Sequence, residues 1–139
     1  MNVKINWLAV VLAMVSSMVV GMVWYARPVF GNTWAKLVGL DDKKMAAGAG
    51  KAIGVTVVVS LITAYVLAHV IYITNSFFGN SFLQDALTTA FWLWLGLTAA
   101  RFITHDAFEQ RAPKLTLMNV AHELVTLEVM ALIIGLLKP

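Results

Sequence analysis

Four apolar segments, each about as long as a lipid bilayer is thick, constrain this chain more than any other feature. They cover residues 5–25, 53–73, 82–104 and 115–137. A helix needs about 20 apolar residues to cross roughly 30 Å of hydrocarbon, and a lone strand cannot satisfy its backbone hydrogen bonds in lipid. The sequence therefore predicts an all-α integral membrane protein, built as a single domain that is a four-helix transmembrane bundle.

The composition favours the same class. Hydrophobic residues make up 60% of the 139 residues and charged residues only 12%, whereas soluble domains carry roughly 25% charged residues. A small soluble fold needs more polar side chains than this to cover its surface, so the lipid bilayer is the expected partner. The absence of cysteine excludes disulfides and thiolate metal sites. The basic residues form no clustered face that would predict nucleic-acid binding.

The basic residues are divided unequally between the predicted connections. The connections after the first and third spans, counted together with Arg101 near the end of the third span, hold eight of the ten Lys and Arg residues, and the opposite side holds only Lys4 and Lys138. The positive-inside rule then places these two connections in the cytoplasm and both termini outside. Trp24, Tyr25 and Arg27 follow the first span as an interfacial anchor, which favours a retained helix over a cleaved signal peptide.

The first connection contains the pattern of a short interfacial helix. Its apolar members recur at helical spacing: Phe30, Trp34, Leu37 and Val38. Asp41 then predicts a second short, capped turn, and we expect Gly48 and Gly50 to end that turn before the second span begins.

Small residues recur every fourth position on the first two spans. They are Ala9, Ala13, Ser17 and Gly21 on the first span, and Thr56, Ser60, Ala64 and Ala68 on the second. Helices in lipid associate closely where small residues let their backbones approach. We therefore expect the two spans to form a tight hairpin along these stripes, in preference to a polar pathway lined by the hydroxyl groups.

The fourth span carries a polar face that includes Asn119, His122 and Glu123. A charge at the bilayer centre costs about 2.5–3.5 kcal/mol, so Glu123 needs a partner. In an antiparallel hairpin of the last two spans, Arg101 is level with Asn119, and Thr98 is level with His122. We expect an Arg101–Glu123 ion pair with Asn119 and His122 hydrogen-bonded beside it. The pair either fixes helix register or belongs to a proton or solute site.

Glu128 lies nearly opposite this polar face, at a depth compatible with His69 on the second span. A His69–Glu128 pair could carry protons. Alternatively, burial keeps Glu128 protonated and the residue seals a subunit interface. Asp106, with its neighbours His105 and Glu109, is interpreted as a solvated helix end rather than a metal site.

No catalytic constellation is visible in the sequence. The run HELVT (122–126) has Thr126 where a zinc-protease helix has its second histidine. We therefore expect neither a metal ion, nor a cofactor, nor an enzymatic activity.

Two stretches of the chain, 21–40 and 107–135, resemble a known family. Ten positions match its motifs: Trp24, Tyr25, Phe30, Gly31, Trp34, Phe108, Glu109, Arg111, Lys114 and Asn119. The chain resembles the four-helix bacterial membrane family called domain of unknown function 1761. The resemblance implies a small polytopic protein of the bacterial inner membrane, and it brings no established activity.

Two functions remain open from the sequence. The first is a small transporter or channel for protons or a small solute. It would work as a homo-oligomer, because four helices enclose little space, and C2 symmetry is the commonest arrangement. It predicts that Glu123→Gln or Glu128→Gln removes flux and leaves assembly intact. The second is a structural or accessory subunit of a larger membrane complex, in which the same substitutions would cost assembly.

Overall fold

The described part of the chain, residues 3–139 of a computed structural model, contains helices and no strand. The helices are α1 (Trp7–Trp24), α2 (Asn32–Val38), α3 (Asp42–Phe78), α4 (Phe82–Leu93), α5 (Ala100–Phe108) and α6 (Pro113–Leu136). A π-helical turn, Arg27–Gly31, leads into α2, and a π-helical segment, Trp94–Ala99, joins α4 to α5 without a break. The all-α class predicted from the sequence is confirmed.

Four helices are long and apolar enough to cross a membrane. They are Trp7–Trp24, Asp42–Phe78, Phe82–Phe108 and Pro113–Leu136. Each contains most of one of the four segments predicted from the sequence. The structure differs from the prediction mainly in α3, which begins well before residue 53.

The long helices form a ring in which each one packs against two neighbours. α6 lies between α1 and α4, and α3 contacts the same two helices from the other side. The Asn6 side-chain amide donates a 2.6 Å hydrogen bond to the Leu137 carbonyl, so the two chain ends meet. We call this the terminal end of the bundle and the opposite one, which carries α2, the α2 end.

Small residues line the contact between α1 and α3. Six members of the predicted stripes are buried there: Ala9, Ala13, Ser17, Ser60, Ala64 and Ala68. Gly21 lies further along α1 and faces α6 instead, because a Cβ built on Gly21 would be 3.6 Å from His122 Nε2. Larger side chains fill the middle of the bundle: Val10, Leu67, Ile71 and Met130.

α6 approaches α4 very closely at Gly135. A Cβ at this position would lie 2.8 Å from Leu83 Cδ1 and 3.0 Å from Leu83 Cα. The Leu83 side chain would have to turn away and its backbone would have to move by a few tenths of an ångström, so glycine allows the closest packing of α4 on α6.

A buried carboxylate fixes the turn between α3 and α4. Asp85 is only 3% exposed. Its two oxygens accept hydrogen bonds from the side-chain amides of Asn75 (2.8 Å) and Asn80 (2.9 Å). Gly79 ends α3 in the left-handed conformation, with φ +68°. Sequence reasoning did not single out Asp85, although the dense run of Asn, Ser and Gly around this turn was a usable signal.

α3 does not stop at Gly48 and Gly50, so the predicted break is corrected. The Asp41 side chain accepts a 2.8 Å hydrogen bond from the Lys44 amide and begins a helix of 37 residues. Each glycine costs about 1 kcal/mol relative to alanine in a helix, and the surrounding alanines are the best helix formers. At 1.5 Å per residue the helix is about 55 Å long. Residues 42–59 are all exposed except Met45.

The π-helical segment turns α5 relative to α4. The Ala100 amide bonds the Leu95 carbonyl, five residues back. This wider turn holds roughly one residue more than an α-turn, which rotates the remainder of the helix by roughly 100°. An uninterrupted helix would place Arg101 and Phe108 on the same face as Trp94, toward α6. Instead Phe108 is exposed and Asp106 is buried against α6.

Candidate functional site

Polar side chains of α6 meet the end of α1 at the α2 end of the bundle. The Tyr25 hydroxyl donates a 3.2 Å hydrogen bond to Asn119 Oδ1. His122 Nδ1 lies 3.3 Å from Glu123 Oε1, and His122 Nε2 lies 3.4 Å from Thr126 Oγ1. We call these five residues the His122 cluster. Each nitrogen of the imidazole therefore has an oxygen neighbour.

Aromatic rings cover the His122 cluster. The ring centroids of Tyr25 and Trp24 lie 5.0 Å and 5.9 Å from that of His122. Phe30 and Trp34 form a second layer, 4.7 Å from Trp24 and 5.4 Å from Tyr25. The imidazole therefore lies beneath two layers of aromatic rings.

The first connection folds back over α1 because Gly31 has no side chain. A Cβ at Gly31 would clash with the Tyr25 carbonyl oxygen and lie 3.0 Å from the Ala26 carbonyl carbon and oxygen. The Gly31 amide donates a 3.0 Å hydrogen bond to that Ala26 oxygen. This close return carries Phe30 and Trp34 onto the rings next to His122.

The two side chains of the His122–Glu123 contact differ in their exposure. The His122 side chain is 13% exposed and that of Glu123 is 35% exposed. The carboxylate therefore remains reachable from the surface, whereas the imidazole lies behind it and beneath the aromatic rings. Such an arrangement can pass a proton from the surface to an enclosed base.

The predicted Arg101–Glu123 ion pair does not form among the described residues, where the ion-pair partner of Glu123 is His122. The reason is the π-helical segment before α5, which turns Arg101 away from the face that packs on α6. Arg101 is exposed and lies in a groove of about 420 Å³ together with Thr98 and Asn119. Asn119 thus belongs both to the His122 cluster and to this groove.

The predicted His69–Glu128 pair also does not form between the described side chains. The His69 ring packs on Tyr65, one turn earlier in α3, with centroids 5.4 Å apart. Its Nδ1 is buried and has no hydrogen-bond partner in residues 3–139. Glu128 shares a face of α6 with Ala131 and Gly135, the face that packs on α4. Because α3 and α6 lie diagonally across the ring, the two side chains point to different helices.

The expectation of a solvated helix end is corrected for Asp106. This residue is 7% exposed and accepts a 2.6 Å hydrogen bond from the Thr116 hydroxyl. Arg111 Nε lies 3.7 Å from Asp106 and 2.6 Å from Glu109. The hydrogen bond to Glu109, together with the Glu109 charge, raises the pKa of Arg111 above its ordinary value. These contacts hold the hairpin between α5 and α6.

Acidic and imidazole side chains do not gather into a metal site in the described part of the chain. Within residues 3–139 no group of three or more His, Cys, Asp or Glu could hold a metal ion.

One protein family matches this chain over nearly its whole length. A family model described as a protein of unknown function (DUF1761) matches residues 8–135. The chain belongs to this family. The match includes the His122 cluster and nearly all of the four long helices, so the resemblance inferred from the two motif stretches is confirmed. No curated protein and no solved structure matches the chain.

Proposed function

We propose that this DUF1761 protein is an integral membrane protein of four spans that moves protons, alone or with a small solute, by way of the His122 cluster. It would lie in the bacterial inner membrane with the α2 end in the cytoplasm and both termini outside. The observation that carries the proposal is the 3.3 Å contact between His122 Nδ1 and Glu123 Oε1 inside an aromatic cover.

The chemistry of this contact suits proton handling. Imidazole and carboxylate side chains are the groups that most often accept and release protons in proteins. Ionisable groups within spans are costly, and they mark proton and ion pathways in membrane proteins. Glu123 would take a proton at the α2 end and His122 would receive it beneath the rings.

A path across the membrane would run between copies of the chain. The middle of one copy is filled by large buried side chains: Val10, Leu67, Ile71 and Met130. A path through a single copy would have to displace them, at several kcal/mol for a packed core of this kind. The proposed unit is therefore a homo-oligomer, with C2 symmetry as the simplest case.

The test is proton flux into liposomes that contain the purified protein and a pH-sensitive dye. We expect Glu123→Gln and His122→Gln to lower the initial rate roughly tenfold or more, as loss of a proton-transferring group does, with an unchanged size of the particle. Glu109→Gln is the matched control, because this acid is exposed and lies outside the cluster. Equal flux in wild type and Glu123→Gln would refute the proposal.

A second candidate is an accessory subunit of a larger membrane complex. It is favoured by the first half of α3, where every residue from 42 to 59 is exposed except the partly buried Met45. Lipid would cover residues 53–59, which belong to the predicted second span, so the surface left for a partner is the part of α3 before residue 53. Gentle detergent extraction from native membranes discriminates the two candidates, since a stoichiometric foreign partner favours the subunit and a particle of this chain alone favours transport.

A further inference from the structure

We propose that the groove beside α5, which we call the Arg101 groove, binds a phosphate group, as carried by an anionic lipid headgroup or by a soluble phosphate compound. The side chains that would hold the phosphate are Thr98, Arg101, His105 and Asn119. The groove has a volume of about 420 Å³, within the usual range of roughly 300–1,000 Å³ for ligand sites. This inference rests on the proposed membrane placement and is independent of proton transport.

The Arg101 groove carries no net formal charge, but its two acids lie next to Arg111, which leaves the Arg101 guanidinium unpaired within residues 3–139. Two acids, Asp106 and Glu109, also line it, but both are already engaged. Asp106 accepts from Thr116, and Glu109 pairs with Arg111. Arg101 has no ion-pair partner among residues 3–139. Its guanidinium is therefore available to an outside anion, and its planar fork suits a phosphate group.

The hydrogen-bonding groups that point to the groove are mainly donors. Asn119 Oδ1 already accepts from the Tyr25 hydroxyl, which leaves the Asn119 amide nitrogen as a donor. The Thr98 hydroxyl makes no hydrogen bond to another residue in the described chain and can donate. His105 lies one helical turn from Arg101 on the same face of α5. These donors suit the oxygens of a phosphate group, while the two carboxylates of the groove are held by Thr116 and Arg111.

The π-helical segment explains why Arg101 is in this position. An α-helical continuation of α4 would aim Arg101 at α6, whereas the wider turn Trp94–Ala99 aims it into the groove. Single π turns occur frequently at functional sites. Here the turn separates Arg101 from Glu123, the acid that the sequence predicts as its partner.

The depth of Arg101 matches a headgroup. Arg101 precedes the end of α5 at Phe108 by seven residues, or about 10 Å at 1.5 Å per residue. An arginine at this depth extends along the helix toward the lipid phosphates. Basic pockets between spans on the cytoplasmic side bind anionic headgroups.

The experiment is native mass spectrometry of the full chain in detergent with added phosphatidylglycerol, with phosphatidylcholine as the zwitterionic comparison. We expect wild type to prefer phosphatidylglycerol. Arg101→Gln should weaken its binding about tenfold or more, the effect of losing a charged hydrogen bond, and Arg101→Lys should weaken it less because the charge stays. Lys51→Gln is the control, since Lys51 is exposed on α3 away from the groove.

A second arm separates the two sources of phosphate. Millimolar inorganic phosphate is added and its binding is measured from the shift in thermal unfolding of wild type and Arg101→Gln. A shift in wild type alone supports the site with a soluble ligand, and phosphatidylglycerol binding without such a shift supports a lipid. If Arg101→Gln fails to fold, Thr98→Val replaces it in the test, because it removes a proposed phosphate donor and alters no charge. The proposal is overturned if phosphatidylglycerol and phosphate bind wild type and the groove variants equally.

Discussion

Gly31→Ala is the substitution that tests most sharply how the aromatic cover is built. The new Cβ clashes with the Tyr25 carbonyl oxygen and lies 3.0 Å from the Ala26 carbonyl, so the turn must open. Opening it loses the Gly31–Ala26 backbone hydrogen bond, worth about 0.5–1.5 kcal/mol. It also separates Phe30 and Trp34 from Trp24 and Tyr25, at about 0.5–1.5 kcal/mol for each aromatic pair. The free energy of unfolding should fall by about 1.5–4.5 kcal/mol.

The assay for Gly31→Ala is unfolding of the detergent-solubilised protein by a graded denaturing detergent, followed by tryptophan fluorescence and far-ultraviolet circular dichroism. Gly48→Ala is the matched control. A Cβ at Gly48 meets nothing within 4 Å, so alanine should leave stability unchanged or raise it by up to about 1 kcal/mol through helix propensity. Equal unfolding of Gly31→Ala and wild type would refute the reasoning, and so would the same loss in both variants.

Two further substitutions test the packing of α4. Gly135→Ala would place a methyl group 2.8 Å from Leu83 Cδ1 and 3.0 Å from its Cα, and should lower stability by about 1–3 kcal/mol in the same titration; a more stable variant would contradict the close approach of α4 and α6. Asp85→Ala removes the carboxylate that accepts from Asn75 and Asn80, and should cost at least about 1.5 kcal/mol. Unchanged stability of Asp85→Ala would mean that this buried carboxylate does not hold the turn.

The four long helices were predictable because each one is determined by the apolar residues of its own segment. Apolar runs of about 20 residues gave four helices, and the every-fourth spacing of Ala9, Ala13 and Ser17 identified the α1 face that is buried. The start of α3 was not predictable from Gly48 and Gly50. Their cost of about 1 kcal/mol each is offset by the neighbouring alanines and the Asp41 cap. A single glycine therefore does not end a helix when the residues around it favour one.

The candidate site was predictable only along one helix. Helical periodicity placed Asn119, His122 and Glu123 on a common face, and the structure brings them together. Their partners come from other elements, whose relative rotation no local pattern records. The sequence does not reveal the π turn, so the prediction placed Arg101 on the face that packs on α6. Tyr25 reaches Asn119 because α1 ends beside α6, a tertiary contact that its role as an interfacial anchor did not indicate.

The central claim is tested most directly by asking whether the losses of proton flux in two single variants add up in the double variant. The four proteins compared are wild type, His122→Gln, Glu123→Gln and the double variant, each assayed for the initial rate of proton entry into liposomes at equal protein content. Residues that act as one unit give strongly non-additive effects, so we expect the double variant to be no slower than either single variant. Wild-type flux in both single variants, or losses that multiply fully in the double variant, would contradict a shared proton site.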